Sequence, residues 1–132
     1  MMQRLVFERP PIFDEARALF GPRIDRAIFS WGDRLYNPAR IVIPPALLAH
    51  EAVHGERQSK ADIECWWRAY LDSASFRLQE EIPAHQAEYR ALIESGNRHQ
   101  RRTALKVVAG RLGGPLYGRL VTLARAAALV AA

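Results

Sequence analysis

The stretch PPALLAHEAVH, residues 44–54, decides how this chain is interpreted. Its two prolines suit the first turn of a helix, and the residues after them predict a helix over residues 45–58. His50 and His54 are four residues apart, which is about 40° around a helix axis, so both imidazoles point to the same side. Two imidazoles placed in this way can bind one zinc ion at about 2.0–2.1 Å.

Glu51 lies between the two histidines, about 100° around the helix from His50. From that position its carboxylate can reach a metal-bound water without itself binding the metal. The H-E-x-x-H spacing therefore predicts Zn²⁺ as the cofactor. It predicts His50 and His54 as metal ligands and Glu51 as the catalytic base.

A third metal ligand is needed, because a catalytic zinc usually has three protein ligands and one open position. On a helix predicted over residues 76–94, Glu81 and His85 lie at the edge of the apolar stripe, and Glu80 faces away. A buried carboxylate is costly unless it is paired or binds a metal. Glu81 is therefore the first choice for the third ligand, with His85 as the alternative.

Two other residues of this segment bear on the site. Glu88 lies near the same edge of the helix, as a hydrogen-bonding partner of the site or as an exposed acid. Pro83 would remove a backbone hydrogen bond from the helix interior. A helix that starts near Gln79 would instead place Pro83 in the tolerant first turn.

The remaining pattern predicts one domain over residues 1–132 with short strands before the motif helix and several helices after it. Strands are predicted over residues 3–8, 26–31, 34–36 and 40–43. Further helices are predicted over residues 12–20, 62–71, 76–94, 98–112 and from 115 onward. Trp66 and Trp67 are adjacent, so we expect only one of them to face fully inward.

The composition suits a protein without disulfides, since Cys65 is the one cysteine, and we expect it to be a small buried residue. The N-terminus does not resemble a signal peptide. The apolar C-terminal segment is interrupted by Arg119 and Arg125, so no membrane span is expected. A cytoplasmic location is therefore expected, or a virion-associated one if the gene belongs to a phage.

Charge is unevenly distributed along the chain. Residues 1–94 hold 12 Lys and Arg and all 14 Asp and Glu, whereas residues 95–132 hold 7 basic residues and no acid. The basic helical part, residues 97–132, suggests nucleic-acid binding as an alternative function. Its candidate residues are Arg98, Arg101, Arg102, Lys106 and Arg111. No helix-turn-helix or zinc-finger signature accompanies them, so a solvated helix face is the preferred interpretation.

With Glu81-Ile82-Pro83-Ala84-His85, the H-E-x-x-H motif resembles the zincin metallopeptidases in their gluzincin arrangement. Other stretches resemble small zincin-like proteins encoded in phage and prophage genomes: Ile28-Phe29-Ser30-Trp31-Gly32-Asp33, Tyr36-Asn37-Pro38, Trp66-Trp67, Tyr70-Leu71, Phe76-Arg77 and Gly114-Pro115-Leu116-Tyr117-Gly118. The resemblance implies a mostly helical α+β fold, a minimal zincin in which a small sheet packs beside the motif helix and is followed by several helices. In such proteins an edge of the sheet holds an extended peptide. Residues 41–43 or 27–30 would offer that edge.

The function expected from these features is metal-assisted hydrolysis of a peptide or protein substrate. Glu51 would move the proton, and His85, Tyr89 or Arg77 would stabilise the oxyanion. The alternative is a non-catalytic, zinc-stabilised component of a phage particle or tail, with other phage particle proteins as partners. An open fourth coordination position would indicate an enzyme, and a covered one a structural site.

Overall fold

The computed structural model describes residues 2–94 and 96–132, and it confirms an α+β fold that is mostly helical. Six α-helices are present: α1 Phe13–Phe20, α2 Pro45–Ser59, α3 Ile63–Asp72, α4 Ala74–Ile93, α5 Arg98–Leu112 and α6 Leu123–Ala131. Three short strands accompany them: β1 Arg4–Val6, β2 Phe29–Trp31 and β3 Arg34–Tyr36. Two 3-10 helices cover Pro22–Arg26 and Pro115–Tyr117.

The sheet has the strand order β1-β3-β2, so β2 is an edge strand. β1 runs parallel to β3, and β2 is antiparallel to β3 with Ser30 opposite Leu35. The β2–β3 turn is tight, and Gly32 adopts a φ of +60° there, which glycine tolerates without steric cost. The side-chain amide of Gln58 bonds the backbone of Ser30 and Gly32, and this fixes β2 against α2.

Helices α2 and α4 form the centre of the molecule and pack against each other. α2 begins at Pro45, as predicted, and Ser73 caps α4 by accepting a hydrogen bond from the Phe76 amide. The alternative start of α4 near Gln79 is wrong, because the helix begins at Ala74 and contains Pro83 in its interior. Packing of α4 against α2, α5 and α6 holds the helix together despite the missing backbone bond.

The core consists of two apolar clusters. The larger one joins the sheet, α1 and α3, and it contains both Trp66 and Trp67. The expectation that only one of these indoles would face fully inward is wrong, because both are buried. The Trp66 indole N–H donates to Glu80, and the Trp67 indole N–H donates to the Ser30 carbonyl. The smaller cluster joins α5 to α6 through Val108, Ala109, Leu112, Ala126 and Val130.

Three further predictions are wrong. Residues 40–43 form a loop instead of a strand, because the Asn37 side chain bonds both the amide and the carbonyl of Ile41. The last helix begins at Leu123 and not at residue 115, since the chain passes through left-handed conformations at Gly118 and Arg119 and Thr122 then caps the helix. Cys65 is exposed instead of buried.

Within residues 2–94 and 96–132, no helix combines the length and the apolar character that a membrane crossing requires.

Glu80 does not face away from the protein, contrary to prediction. It is buried, and its carboxylate accepts hydrogen bonds from the Arg57 guanidinium at 2.9 and 2.8 Å and from the Trp66 indole at 2.8 Å. Burial alone would raise the pKa of Glu80, but the Arg57 and Trp66 donors outweigh it and hold this pKa below its ordinary value. This ion pair joins α2 to α4.

We predict that Glu80→Gln lowers the free energy of unfolding at pH 7 by roughly 2–3 kcal/mol, between the values for exposed and fully buried pairs. Because the pKa of Glu80 is lowered in the folded state, its stabilisation is present above the unfolded pKa of about 4.5 and is lost as the pH falls through the folded pKa. Urea denaturation should show a smaller difference in the free energy of unfolding between the wild type and Glu80→Gln at pH 3 than at pH 7.

Glu64→Gln is the matched control, since Glu64 is exposed and lies 3.9 Å from Arg68 in an i,i+4 pair. Its effect should stay within about 0.5 kcal/mol. A stability difference for Glu80→Gln that is equal at both pH values would contradict the prediction.

Candidate metal centre

Four predicted residues meet where α2 packs on α4. His50 and His54 come from α2, and Glu81 and His85 come from α4; all four are buried. The Glu81 carboxylate oxygen Oε1 lies 3.3 Å from His50 Nε2 and 3.2 Å from His54 Nε2. The i,i+4 spacing on both helices places these side chains on the two faces that touch.

This group has the chemistry of a metal site. His50, Glu81 and His85 form a buried cluster whose ligand atoms lie within 4.8 Å of one another and which could hold a metal ion. His54 is not part of this cluster, although its Nε2 contacts the same Glu81 oxygen. The cluster and the predicted set of His50, His54 and Glu81 are therefore two possible triads that share His50 and Glu81. Two ligands of one tetrahedral zinc ion with bonds of 2.0–2.1 Å should be about 3.3–3.4 Å apart. The two imidazole–carboxylate distances fit this spacing.

His85 carries an unused nitrogen lone pair. Its Nδ1 lies 2.7 Å from the Glu81 carbonyl oxygen, and because a carbonyl only accepts, Nδ1 carries the proton. Burial and the neighbouring His50 lower the pKa of His85 to about 3, so the ring is neutral. Its Nε2 is buried and has no hydrogen-bond partner in the described chain, and the same is true of His54 Nδ1. Unpaired polar atoms of this kind are rare in protein interiors.

The Glu81 carboxylate is held from its other side by Tyr70, whose hydroxyl donates to Oε2 at 2.5 Å. Burial alone would raise the pKa of Glu81, but His54 and His50 outweigh it and keep this pKa well below its ordinary value. Burial, and then the Glu81 charge, raise the pKa of Tyr70 well above its ordinary value, so Tyr70 stays a donor. Oε1 is thereby left facing the histidines.

His50 is oriented by a carboxylate, as metal-binding histidines usually are. Its Nδ1 lies 2.9 Å from Glu88 Oε1, and the Arg111 guanidinium from α5 pairs with Glu88 Oε2. Of the two roles predicted for Glu88, the structure shows the hydrogen-bonding one. The Arg111 guanidinium is thus paired with a buried carboxylate.

A cavity of about 190 Å³ borders the centre. His50, Glu51, His54 and Glu81 lie on one side of it, and Tyr117 also lines it. Its apolar wall is formed by Phe20, Ile24, Phe29 and Leu116. The Glu51 carboxylate lies beside the cluster, with Oε1 4.0 Å from His50 Nε2. This arrangement places a carboxylate next to the candidate metal position.

The predicted peptide-binding edge is only partly available. Residues 27–30 and Ile41 line the cavity, but residues 41–43 are not part of the sheet. The Ser30 carbonyl already accepts hydrogen bonds from Gln58 Nε2 and Trp67 Nε1, both at 3.0 Å. An added strand can therefore pair only with the part of β2 that precedes this carbonyl.

Two of the three residues predicted to contact substrate lie elsewhere. Arg77 donates to the backbone carbonyls of Tyr70 and Tyr117 and so fixes these two segments relative to each other. Tyr89 lies eight residues after Glu81, about 12 Å along α4, and packs against the α5–α6 cluster. His85 lies behind His50, with ring centroids 4.6 Å apart.

Sequence reasoning missed Tyr117, Tyr70 and Ser30 as site residues. Burial raises the pKa of Tyr117 well above its ordinary value, and the charges of Glu81 and Glu51 add to this, so Tyr117 is a neutral phenol in the wall of the cavity that both carboxylates also line. Tyr70 follows Trp66 by four residues on the buried stripe of α3, and that spacing was the available signal. Ser30 and Tyr117 lie in stretches that carry the family resemblance, but no spacing pattern assigns either of them a role at the site.

Comparison with protein-family models, with curated proteins and with solved structures finds no match for this chain. The assignment of chemistry to the site therefore depends on its residues and their geometry.

We predict that the metal-free protein binds one Zn²⁺ in calorimetric titration. His50→Ala and Glu81→Gln should abolish this binding, because these residues belong to both possible triads. Glu88→Gln should weaken binding by roughly 10- to 100-fold, as loss of a ligand's hydrogen-bond partner usually does.

His99→Ala is the control, because His99 is exposed on α5. The zinc affinity of this variant should equal that of the wild type. Full zinc affinity in His50→Ala would rule out a metal site at this position.

Proposed function

We propose that this protein is a zinc-dependent metallopeptidase of the zincin type, in which His50, His54 and Glu81 hold Zn²⁺ and Glu51 is the catalytic base. One observation carries the proposal. A carboxylate oxygen from a separate helix lies 3.2–3.3 Å from the Nε2 atoms of both histidines of the H-E-x-x-H motif. An H-E-x-x-H sequence that arose by chance would not be expected to have a buried carboxylate from another helix next to both of its imidazoles.

His54 is preferred to His85 as the remaining ligand. The Nε2 atoms of His50 and His54 lie 3.3 and 3.2 Å from Glu81 Oε1. The His85 nitrogen next to that oxygen is Nδ1, at 3.5 Å, and this atom carries the proton that is bonded to the Glu81 carbonyl. In this proposal His85 supports the site by packing against the His50 ring. In the titration above, His54→Ala should then lose zinc affinity as His50→Ala does, and His85→Gln should lose less.

The proposed mechanism assigns separate tasks to the cavity residues. Bound zinc supplies the Lewis acidity that activates water and polarises the scissile carbonyl. Glu51 accepts the proton of the attacking water and later delivers it to the leaving amine. Tyr117, a neutral donor at the cavity wall, takes the oxyanion-stabilising role first considered for Tyr89 and Arg77.

The proposed substrate is a peptide or an unfolded protein segment. The apolar wall of the cavity can accept an apolar side chain, and the segment that precedes the Ser30 carbonyl, residues 27–29, lines the cavity where an extended backbone could pair with it. Because the Ser30 carbonyl is occupied, the substrate would gain few backbone hydrogen bonds there. Side-chain burial would then provide most of its binding.

The second candidate is a non-catalytic, zinc-stabilised component of a phage particle or tail. It is supported by His85, a buried neutral imidazole whose free Nε2 offers a fourth donor close to His50. Nucleic-acid binding has weaker support. Arg98, Arg101 and Arg102 line a shallow surface depression with Tyr89 and Leu105, but Arg111 is directed inward to Glu88.

We predict that the zinc-loaded wild type cleaves a denatured protein substrate and that Glu51→Gln lowers the rate by roughly 10²- to 10⁴-fold, the usual contribution of a general base. Zinc affinity should be retained in this variant, because Glu51 is not a ligand. The rate of cleavage is measured from the release of free amino groups, with the wild type and Glu51→Gln compared at equal zinc occupancy.

Glu64→Gln again serves as the control and should keep wild-type activity. Equal rates for Glu51→Gln and the wild type would remove Glu51 from the mechanism. A wild type that binds one zinc ion but cleaves nothing would favour the structural alternative.

A further inference from the structure

We infer that Ser30 is a positioning residue for Glu51: its hydroxyl holds one carboxylate oxygen so that the other faces the metal centre. This inference rests on the proposed function. The Ser30 hydroxyl oxygen lies 2.6 Å from Glu51 Oε2 and 2.8 Å from the Glu51 backbone carbonyl oxygen. Ser30 is 1% exposed, so water does not compete for these bonds.

The two contacts of the Ser30 hydroxyl are alternatives, because a hydroxyl carries one proton to donate. A carboxylate is the stronger acceptor, and 2.6 Å is typical of a hydroxyl bound to an ionised oxygen. The hydroxyl therefore donates to Oε2 while Glu51 is ionised. In the part of the chain that the structure describes, no other side chain forms a hydrogen bond with the Glu51 carboxylate.

Holding Oε2 determines where Oε1 points. Oε1 is the oxygen on the side of His50, 4.0 Å from its Nε2, and is thus the one placed to receive a proton at the metal centre. Without the Ser30 hydroxyl, Glu51 could rotate about its terminal torsion, which has broad minima. A displacement of about 1 Å at a reacting group can cost roughly 100-fold in rate.

Ser30 is itself fixed by three elements, which a positioning role requires. The Ser30 carbonyl accepts hydrogen bonds from the side chains of Gln58 on α2 and Trp67 on α3. In the sheet, Ser30 lies opposite Leu35 of β3. These bonds use backbone atoms, so removing the hydroxyl leaves them in place. The Ser30→Ala variant should therefore fold and test the hydroxyl alone.

The first test needs neither metal nor activity. Metal-free protein is labelled with ¹³C at the glutamate carboxyl carbons, and the Glu51 resonance is identified by its loss in Glu51→Gln. Ser30→Ala should shift the Glu51 resonance and leave that of Glu64 in place, and Ser30→Thr, which keeps a hydroxyl, should restore it. An unchanged Glu51 resonance in Ser30→Ala would overturn the inference.

The second test uses the zinc-loaded protein. Ser30→Ala should lower kcat by roughly 10- to 100-fold while KM stays within about twofold, because the group acts on the chemical step. Ser59→Ala is the matched control, since the Ser59 hydroxyl donates only to a carbonyl of α2, that of Gly55. It should leave kcat unchanged.

The outcomes separate the two claims. An active wild type whose kcat survives Ser30→Ala would overturn the role of Ser30 and leave the peptidase proposal intact. An inactive wild type would refute the peptidase proposal, and the carboxyl resonance would then decide whether Ser30 holds Glu51.

Discussion

One buried carboxylate organises this structure: that of Glu81, placed between the imidazoles of His50 and His54. A carboxylate that is 2% exposed costs several kcal/mol of solvation unless opposite charge and hydrogen bonds replace the water. The histidines and the Tyr70 hydroxyl supply part of that replacement. A divalent cation would supply the rest, and its charge would suit a position beside the carboxylate oxygen that both imidazoles contact.

Each group at the centre is held by a different element of the fold. Tyr70 brings α3 to Glu81, Arg111 brings α5 to Glu88 and so to His50, and Ser30 brings the sheet to Glu51. The bonds that support the site are therefore also the bonds that join the elements. This explains why the C-terminal helices matter for the site although they contribute none of the proposed ligands.

The sequence predicted best what depends on local spacing. The H-E-x-x-H helix and the inward position of Glu81 follow from helix periodicity, and both helices were placed within a few residues. The position of Glu80 was missed because α4 is buried on more than one face, whereas a helical wheel assumes a single buried stripe. The loop at residues 40–43 was missed because an asparagine side chain replaced the expected strand pairing.

The supporting residues could not be predicted, because their roles arise only in the folded chain. Ser30 is far in sequence from Arg111 and Tyr117, and none of the three residues carries a spacing signal. The sequence reduced the candidates for the third metal ligand to Glu81 and His85 but did not decide between them. His85 was recognised as a candidate, and the structure adds that its Nδ1 is bonded to the backbone while its Nε2 is free.

The central claim is that one divalent ion is bound by His50, His54 and Glu81. Anomalous diffraction at the zinc absorption edge, from crystals of protein purified without chelator, tests it most directly. The account predicts one strong peak within about 2.0–2.2 Å of His50 Nε2, His54 Nε2 and Glu81 Oε1. A map with no peak between these atoms after zinc soaking, or a structure in which the three side chains lie apart, would contradict it.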